Sequence, residues 1–185
     1  MYLCPEIKVV FLAQPRTASR SCVHFLQART PMRRHKQSAG HHSIDIGDLK
    51  GYRREGYRVV TAVRNHYDLI VSFYHHAPHW FSRPKGEETF TNYVYDFATH
   101  EKNQYAEPHA LYGKLQPYAS HIIRYENLWD EFSAATGLEV TAEDRQAFHM
   151  GKSDRKPYRE YYDEDTHRFI AGWYKHEMEE YGYSF

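Results

Sequence analysis

The sequence predicts an α/β fold in which helices cover both faces of a central parallel sheet, so that residues 1–185 form one three-layer domain. Two features predict this fold. Strand-like apolar runs alternate with helical patterns along the chain, as they do when helices connect parallel strands. The strongest runs, 9–13 and 59–63, are apolar at nearly every position rather than at every second one. Such runs are typical of strands that are covered on both faces.

The individual elements follow from this pattern and from the residues that begin and end helices. In chain order they are a strand at 7–13, a helix at 19–29, a short strand or turn at 38–49 that leads into a helix start, a strand at 57–65, helices at 66–77 and 89–101, a strand at 120–128, and helices at 128–137, 141–151 and 163–185. Gly137 favours the end of the helix before it, because glycine readily adopts the left-handed conformation found there. Thr141 and Asp144 predict a capping box at the start of the helix that follows them.

Composition narrows the class of partner. The 24 basic and 24 acidic residues give a formal net charge of zero, so no overall positive field favours binding to nucleic acid. No apolar run has the length of a membrane span or of a signal segment, and we expect a cytoplasmic protein that does not bind membranes.

The two cysteines do not predict a disulfide. Cys4 lies in an N-terminus that is expected to be loose, and Cys22 lies at a core-facing helix position.

A polar loop separates the first predicted strand from the first helix. Residues 16–21, "RTASRS", bring two guanidiniums and three hydroxyls to a helix N-terminus, where free N–H groups and the positive end of the helix dipole favour anions. A guanidinium such as that of Arg16 can bind two phosphate or sulfate oxygens at once. The alternative is an ordinary turn in which Ser19 caps the helix. The loop lacks the glycines and the Gly-Lys-Ser/Thr end of a nucleoside-triphosphate loop.

A second polar position follows the second strong strand. Arg64 lies at the carboxyl end of that strand, where α/β folds bind ligands, and Ser72 lies two turns into the next helix. Together they can hold one phosphate from two sides. In the alternative interpretation Arg64 pairs with Asp68, and Ser72 is a small buried residue.

These two segments and two later ones resemble the sulfotransferases that use 3′-phosphoadenosine 5′-phosphosulfate (PAPS). The sequence "PRTASRS" at 15–21 is similar to the family's 5′-phosphosulfate loop, and "VRNHYDLIVSFYHH" at 63–76 is similar to its 3′-phosphate motif. "IIRYENL" at 122–128 and "WYKHEMEEYGYSF" at 173–185 resemble a later strand and turn and the closing helix, in the same order. The resemblance implies the P-loop NTPase-like sulfotransferase fold, closest to the branch that acts on carbohydrates.

The resemblance also implies an activity. The sulfuryl group of PAPS would be transferred to the hydroxyl of a small-molecule or glycan acceptor, and 3′-phosphoadenosine 5′-phosphate (PAP) would be released. No metal is implied, and no Cys/His spacing suggests one. The residues that would bind PAPS are Arg16, Thr17, Ala18, Ser19, Arg20 and Ser21 in the first loop, Arg64 and Ser72 in the second segment, and Ser153, Arg155 and Lys156 in a late basic loop. By the resemblance, this late loop folds over the nucleotide and contacts its 3′-phosphate, as Arg64 and Ser72 do.

The chain departs from the family pattern at three of its positions. Arg16 replaces a lysine, which keeps the charge and adds a second donor for the leaving phosphate. Arg20 stands where a small hydroxyl residue is common, and the resemblance does not explain its role. His66 replaces the proline of the 3′-phosphate motif.

The general base is predicted within the segment 38–49. A neutral histidine is suited to remove the acceptor's proton near pH 7, and Gly40-His41-His42-Ser43 matches a Gly-His-x-Ser segment in the branch that acts on glycans. This match assigns the catalytic role to His41, with His42 beside it. The carboxylates Asp45 and Asp48 are weaker candidates, and two solvent-exposed histidines in a turn are the alternative.

Two other classes of function stay open at the level of sequence. One is a small-molecule kinase on a related P-loop fold, against which the missing Gly-Lys-Ser/Thr argues. The other is a nucleotide- or glycan-binding protein that keeps the scaffold without the chemistry. Independently of the class of function, the alternative for the basic loop at 153–156 is an ordinary solvated surface loop.

Overall fold

The computed structural model of the chain describes residues 1–34, 46–76, 89–100, 116–150 and 154–185. Within these residues it contains five strands and eight α-helices. The strands are β1 (Tyr2–Cys4), β2 (Val9–Leu12), β3 (Arg33–Arg34), β4 (Arg58–Val63) and β5 (His121–Arg124). The helices are α1 (Ser19–Arg29), α2 (Ile46–Arg54), α3 (His66–His76), α4 (Phe90–Thr99), α5 (Leu128–Thr136), α6 (Ala142–Ala147), α7 (Glu164–Trp173) and α8 (Lys175–Glu180).

The chain divides into two compact units, each made from two segments. The first, here called the sheet unit, comprises Met1–Val63 and Leu115–Lys152 and holds the five described strands with α1, α2, α5 and α6. The second, here called the helical unit, comprises Arg64–Lys114 and Ser153–Phe185 and holds α3, α4, α7 and α8.

The sheet of the first unit is mixed, in the order β3-β1-β2-β4-β5. The strands β2, β4 and β5 are parallel, whereas β1 is antiparallel to both β2 and β3. The α/β class is therefore confirmed. The predicted parallel arrangement holds for β2, β4 and β5, but the sheet as a whole is mixed rather than parallel. The reason is the short connection between β1 and β2, which is a turn closed by the Lys8 N–H donating to the Pro5 carbonyl at 3.2 Å. A turn of this length can join antiparallel strands only.

The expectation of a loose N-terminus around Cys4 is also wrong. Cys4 lies in β1, pairs with Val9 of β2 and is fully buried. Burial raises the pKa of the Cys4 thiol to about 11. Cys22 faces the core, as its helix position predicts, and burial raises the pKa of its thiol as well. Both cysteines are free thiols.

Helices cover both faces of this sheet. On one face α1 and α5 pack on the strands, with the rings of Phe25 and Phe132 5.9 Å apart and Phe11 of β2 5.7 Å from Phe132. On the other face Val10 and Leu12 of β2 pack with Leu49 of α2. Alternate β2 residues thus face opposite cores, which explains why the strand is apolar at every position.

Most predicted helix limits agree with the structure. The helix α1 spans the predicted residues, α5 ends at Gly137 in the left-handed conformation (φ +75°), and Thr141 with Asp144 forms both hydrogen bonds of the predicted capping box. The single helix predicted for 163–185 is wrong, because Tyr174 interrupts it between α7 and α8 with non-helical backbone angles. The buried Tyr174 ring stacks on His66 of α3, with the ring centroids 4.4 Å apart.

The core of the helical unit is aromatic. Phe73 of α3 contacts Phe97 of α4 with ring centroids 5.4 Å apart, and Tyr93 lies 6.0 Å from Phe97. Ile170 of α7 is fully buried in the same unit. Among the described helices of the two units, none is both long enough and apolar enough to cross a membrane.

Candidate functional site

The loop between β2 and α1 adopts an unusual backbone conformation. Arg16 and Ala18 have φ angles of +62° and +55°, in the left-handed region that residues with a Cβ rarely adopt. This conformation costs about 1–2 kcal/mol for each non-glycine residue. Alternation of left- and right-handed residues turns successive N–H groups towards one side, which forms a concavity suited to anions. The loop thus uses a glycine-like backbone although it contains no glycine.

The hydroxyls of this loop brace it internally. Thr17 is fully buried and donates its Oγ1 hydrogen to the Gln14 carbonyl at 3.0 Å. The Ser21 hydroxyl accepts a hydrogen bond from the Met150 N–H at 3.2 Å. The N-cap of α1 is Ala18, so the alternative in which Ser19 caps the helix is not observed.

The N-terminus of α1 offers backbone N–H groups that could bind an anion. No side chain caps it, and no acidic residue lies in its first turn. Its N–H groups and the positive end of its dipole are not compensated by a side-chain cap among the described residues. Arg16 is half-buried and has its own contacts, and Arg20 is exposed on the first turn of the helix. The binding roles of these two arginines stay predictions.

In the helical unit Arg64 is paired with Asp68. The Nε and Nη2 atoms of Arg64 donate to the Oδ2 atom of Asp68 at 2.8 and 2.5 Å, and the Arg64 side chain is only 5% exposed. Ser72 is buried one turn further along α3. The structure therefore has the pair of Arg64 with Asp68 and the buried Ser72 that the alternative interpretation predicts. Arg64, Asp68 and Ser72 follow one another at intervals of four residues.

Arg155 reaches the same carboxylate from the late basic loop. Its Nη2 atom donates to the Oδ1 atom of Asp68 at 2.5 Å, so that each oxygen of Asp68 is bound by a different arginine. The side chains of Asp68 and Arg155 are 15% and 14% exposed. We call Arg64, Asp68 and Arg155 the Asp68 cluster. Two predicted 3′-phosphate ligands that are distant in sequence are thus brought together within one unit.

The Asp68 cluster contains more positive than negative side chains. Two guanidiniums and one carboxylate leave a net charge of one positive unit in a largely buried position. The Nη1 atom of Arg155 is buried and has no hydrogen-bond partner among the described residues. Because burying charged donors without partners is unfavourable, this arrangement favours an anion as a further partner.

A second contact holds the basic loop to α3. The Lys156 N–H donates to the Tyr161 hydroxyl at 3.3 Å, and this hydroxyl lies 2.8 Å from Nε2 of His75. Burial, together with the positive charge of Arg155, lowers the pKa of His75. The Lys156 residue itself is exposed.

The N-terminus of α3 is fixed by contacts that the sequence reasoning missed. Asn65 accepts a hydrogen bond from the Tyr67 N–H at 3.0 Å and donates from Nδ2 to the Ser184 carbonyl at 2.7 Å. The Phe185 ring packs on Tyr67, with centroids 4.8 Å apart. An Asn directly before a helix is a signal for capping, but no local pattern indicates its second partner.

Several predicted residues lie outside the part of the chain that the structure describes. These are His41, His42, Asp45 and Ser153. Asp48 is described and lies in the first turn of α2. The assignment of a general base therefore stays a prediction.

Comparison with models of protein families, with curated proteins and with solved structures found no match. Within the described residues no three His, Cys, Asp or Glu side chains are grouped as a metal ion would require. The chemistry available at the described positions is anion binding, by guanidiniums in the helical unit and by a helix N-terminus in the sheet unit.

Proposed function

We propose that the chain is a PAPS-dependent sulfotransferase that acts on an acceptor hydroxyl, with carbohydrates as the favoured acceptor class. The observation that carries the proposal is the Asp68 cluster. Arg64 and Arg155 are each predicted from the resemblance to bind the 3′-phosphate, and both contact one largely buried carboxylate, so that the cluster has two guanidiniums for one carboxylate. A phosphate monoester has the charge and the acceptor oxygens that such a cluster favours.

The first loop supports the other half of the proposal. The left-handed residues Arg16 and Ala18 directly precede the uncapped start of α1, where the backbone N–H groups would bind the 5′-phosphosulfate. The Thr17 and Ser21 hydroxyls brace this backbone through Gln14 and Met150. In this proposal the main chain and Arg16 bind the oxygens, while the two hydroxyls maintain the shape of the loop.

The proposed reaction is a direct transfer. The acceptor oxygen forms a bond to sulfur as the bond between sulfur and the bridging phosphate oxygen breaks, which releases PAP. His41 takes the acceptor's proton, and Arg16 stabilises the negative charge that develops on the leaving phosphate. Phosphoryl transfer is catalysed mainly by positive charges that are positioned against the negative charge developing in the transition state, and sulfuryl transfer has the same requirement.

A thermal-shift comparison tests the proposal. PAP, adenosine 5′-phosphate and ATP with Mg²⁺ are each added to the full chain at the same concentration. Binding at 100 times the Kd stabilises the folded state by about 2.7 kcal/mol, which raises the Tm by several degrees. We expect PAP to raise the Tm more than adenosine 5′-phosphate does. Equal shifts for PAP and adenosine 5′-phosphate contradict the proposal, and a larger shift with ATP and Mg²⁺ supports a kinase instead.

A further inference from the structure

We infer that Asp68 competes with the bound 3′-phosphate for the same guanidinium N–H groups, and that it thereby limits the affinity for the nucleotide and speeds the release of PAP. This inference rests on the proposed function, because it concerns the same phosphate site. It assigns to Asp68 a role in setting affinity, in addition to its contacts with the two arginines.

The hydrogen bonds of the Asp68 cluster define this competition. Arg64 uses Nε and Nη2 for Asp68, and these two atoms form one edge of the guanidinium, the edge that a phosphate binds with two parallel hydrogen bonds. Arg155 uses Nη2 for Asp68, and its buried Nη1 lacks a partner among the described residues. A phosphate can therefore bind Nη1 of Arg155 while Asp68 keeps its contacts, but it gains the Nε and Nη2 edge of Arg64 only where Asp68 gives up its hydrogen bonds there.

The charges lead to the same conclusion. A phosphate monoester carries about −1.5 to −2 charges near pH 7. Counted over the three cluster residues and the phosphate alone, the negative charge exceeds the two positive charges of Arg64 and Arg155 while Asp68 is ionised, whereas without Asp68 the two signs nearly balance. Like charges in a largely buried position repel each other strongly. The carboxylate must therefore weaken the binding of a dianion at the cluster.

Asp68 also has a stabilising role that explains why a competing group is tolerated. It separates two largely buried guanidiniums that would otherwise repel each other. The product PAP retains the 3′-phosphate, and product release often limits the turnover of enzymes. A carboxylate that takes back its donors as the phosphate leaves would shorten the lifetime of the product complex.

The test compares Asp68→Asn with the wild-type chain. The Kd for PAP and for adenosine 5′-phosphate is measured by calorimetry, and the dissociation rate of PAP by stopped flow. We expect Asp68→Asn to bind PAP about tenfold more tightly with slower dissociation, and to bind adenosine 5′-phosphate with unchanged affinity. Unchanged or weaker binding of PAP overturns the inference.

The control variant is Asp165→Asn, which removes the same charge from a side chain that is 81% exposed on α7. It should leave the Kd for PAP unchanged, and an equal gain in this variant would overturn the inference as a general charge effect. Inorganic phosphate separates the inference from the proposed function. If the wild-type chain does not bind PAP, the proposed function fails. In that case tighter binding of inorganic phosphate by Asp68→Asn than by the wild-type chain still supports competition at the cluster. If Asp68→Asn binds inorganic phosphate no more tightly than the wild-type chain does, the inference is overturned.

If Asp68→Asn does not fold, the wild-type chain supplies the test. The ¹H–¹⁵N NMR signal of Arg64 Nε is followed while PAP, or inorganic phosphate if PAP does not bind, is added. The signal is assigned by its loss in Arg64→Lys. Displacement of Asp68 changes the acceptor of this N–H and must shift the signal, whereas an unchanged signal at saturation overturns the inference.

Discussion

Arg155 donates a hydrogen bond to Asp68 at 2.5 Å, although the two residues are 87 positions apart in the sequence. Asp68 also accepts from Arg64, so this one carboxylate joins the start of α3 to the late basic loop within the helical unit. The result is a largely buried group of two guanidiniums and one carboxylate, which is the main structural argument for anion binding.

The backbone strain of the first loop gives a prediction about stability. Ala18→Gly should raise the free energy of unfolding by about 0.5–1 kcal/mol, because glycine adopts the left-handed conformation of this position without strain. The matched control is Ala28→Gly, at an exposed position inside α1. This change should lower the free energy of unfolding by about 0.5–1 kcal/mol. Urea denaturation measures both, and the same sign for both changes would contradict the strain.

The contact between α1 and α6 gives a prediction about pH. Asp144 accepts hydrogen bonds from Arg29 and from the Thr141 N–H, and these lower the pKa of its carboxyl group. The lowered pKa means that the ionised carboxylate stabilises the folded chain above its unfolded pKa of about 3.9, and that this stabilisation is lost as the pH falls through the folded value.

Asp144→Asn should therefore lower the urea midpoint at pH 7, and the difference from wild type should shrink below about pH 4. The control is Glu55→Gln, an exposed carboxylate at the end of α2, which should change the midpoint little at either pH. A constant difference between Asp144→Asn and wild type from pH 7 to pH 3 would argue against the charge effect.

Phe185 is predicted to stabilise the helical unit. Its ring centroid lies 4.3 Å from that of His167, 4.8 Å from Tyr67 and 5.8 Å from Tyr158. Phe185→Ala should lower the free energy of unfolding by about 2 kcal/mol, and Phe185→Leu, which keeps most of the apolar volume, by less than half of that. Equal losses in the two variants would show that the apolar volume of this side chain is not what stabilises the unit.

The catalytic role of His41 is a prediction from the sequence alone. His41→Ala should slow the release of PAP from PAPS, in the presence of hydroxyl-bearing glycans, by about a hundredfold or more, because it removes the proposed base. The Kd for PAP should not change, and His42→Ala is the matched control. Unchanged turnover in His41→Ala would exclude it as the base, and a loss confined to His42→Ala would transfer the role to its neighbour.

The sequence predicted the elements whose residues carry a clear pattern. The buried runs of β2 and β4 and the helix signals around Gly137 and Thr141 gave limits close to those observed. The strands β1 and β3 were not predicted, because three and two residues are too few to show a periodicity. The connection between β1 and β2, from Cys4 to Val9, is too short to join parallel strands. It was the one signal in this region that the sheet is mixed.

The candidate site could likewise be predicted only where a local sequence pattern indicates a contact. The pairing of Arg64 with Asp68 follows from their four-residue spacing at the start of α3, whereas the contact of Arg155 with Asp68 depends on tertiary packing and has no local signal. The left-handed angles of Arg16 and Ala18 could not be predicted, because the usual signal for positive φ is a glycine.

The most direct test of the central claim is a comparison of PAP with adenosine 5′-phosphate in the wild-type chain and in Arg64→Ala. The two nucleotides differ only in the 3′-phosphate that Arg64 is proposed to bind. By calorimetry, Arg64→Ala should raise the Kd for PAP about tenfold or more and leave that for adenosine 5′-phosphate within about twofold. Arg168→Ala, at an exposed arginine of α7, should change neither. Equal losses of affinity for the two nucleotides in Arg64→Ala, or equal wild-type affinity for both, would contradict the account.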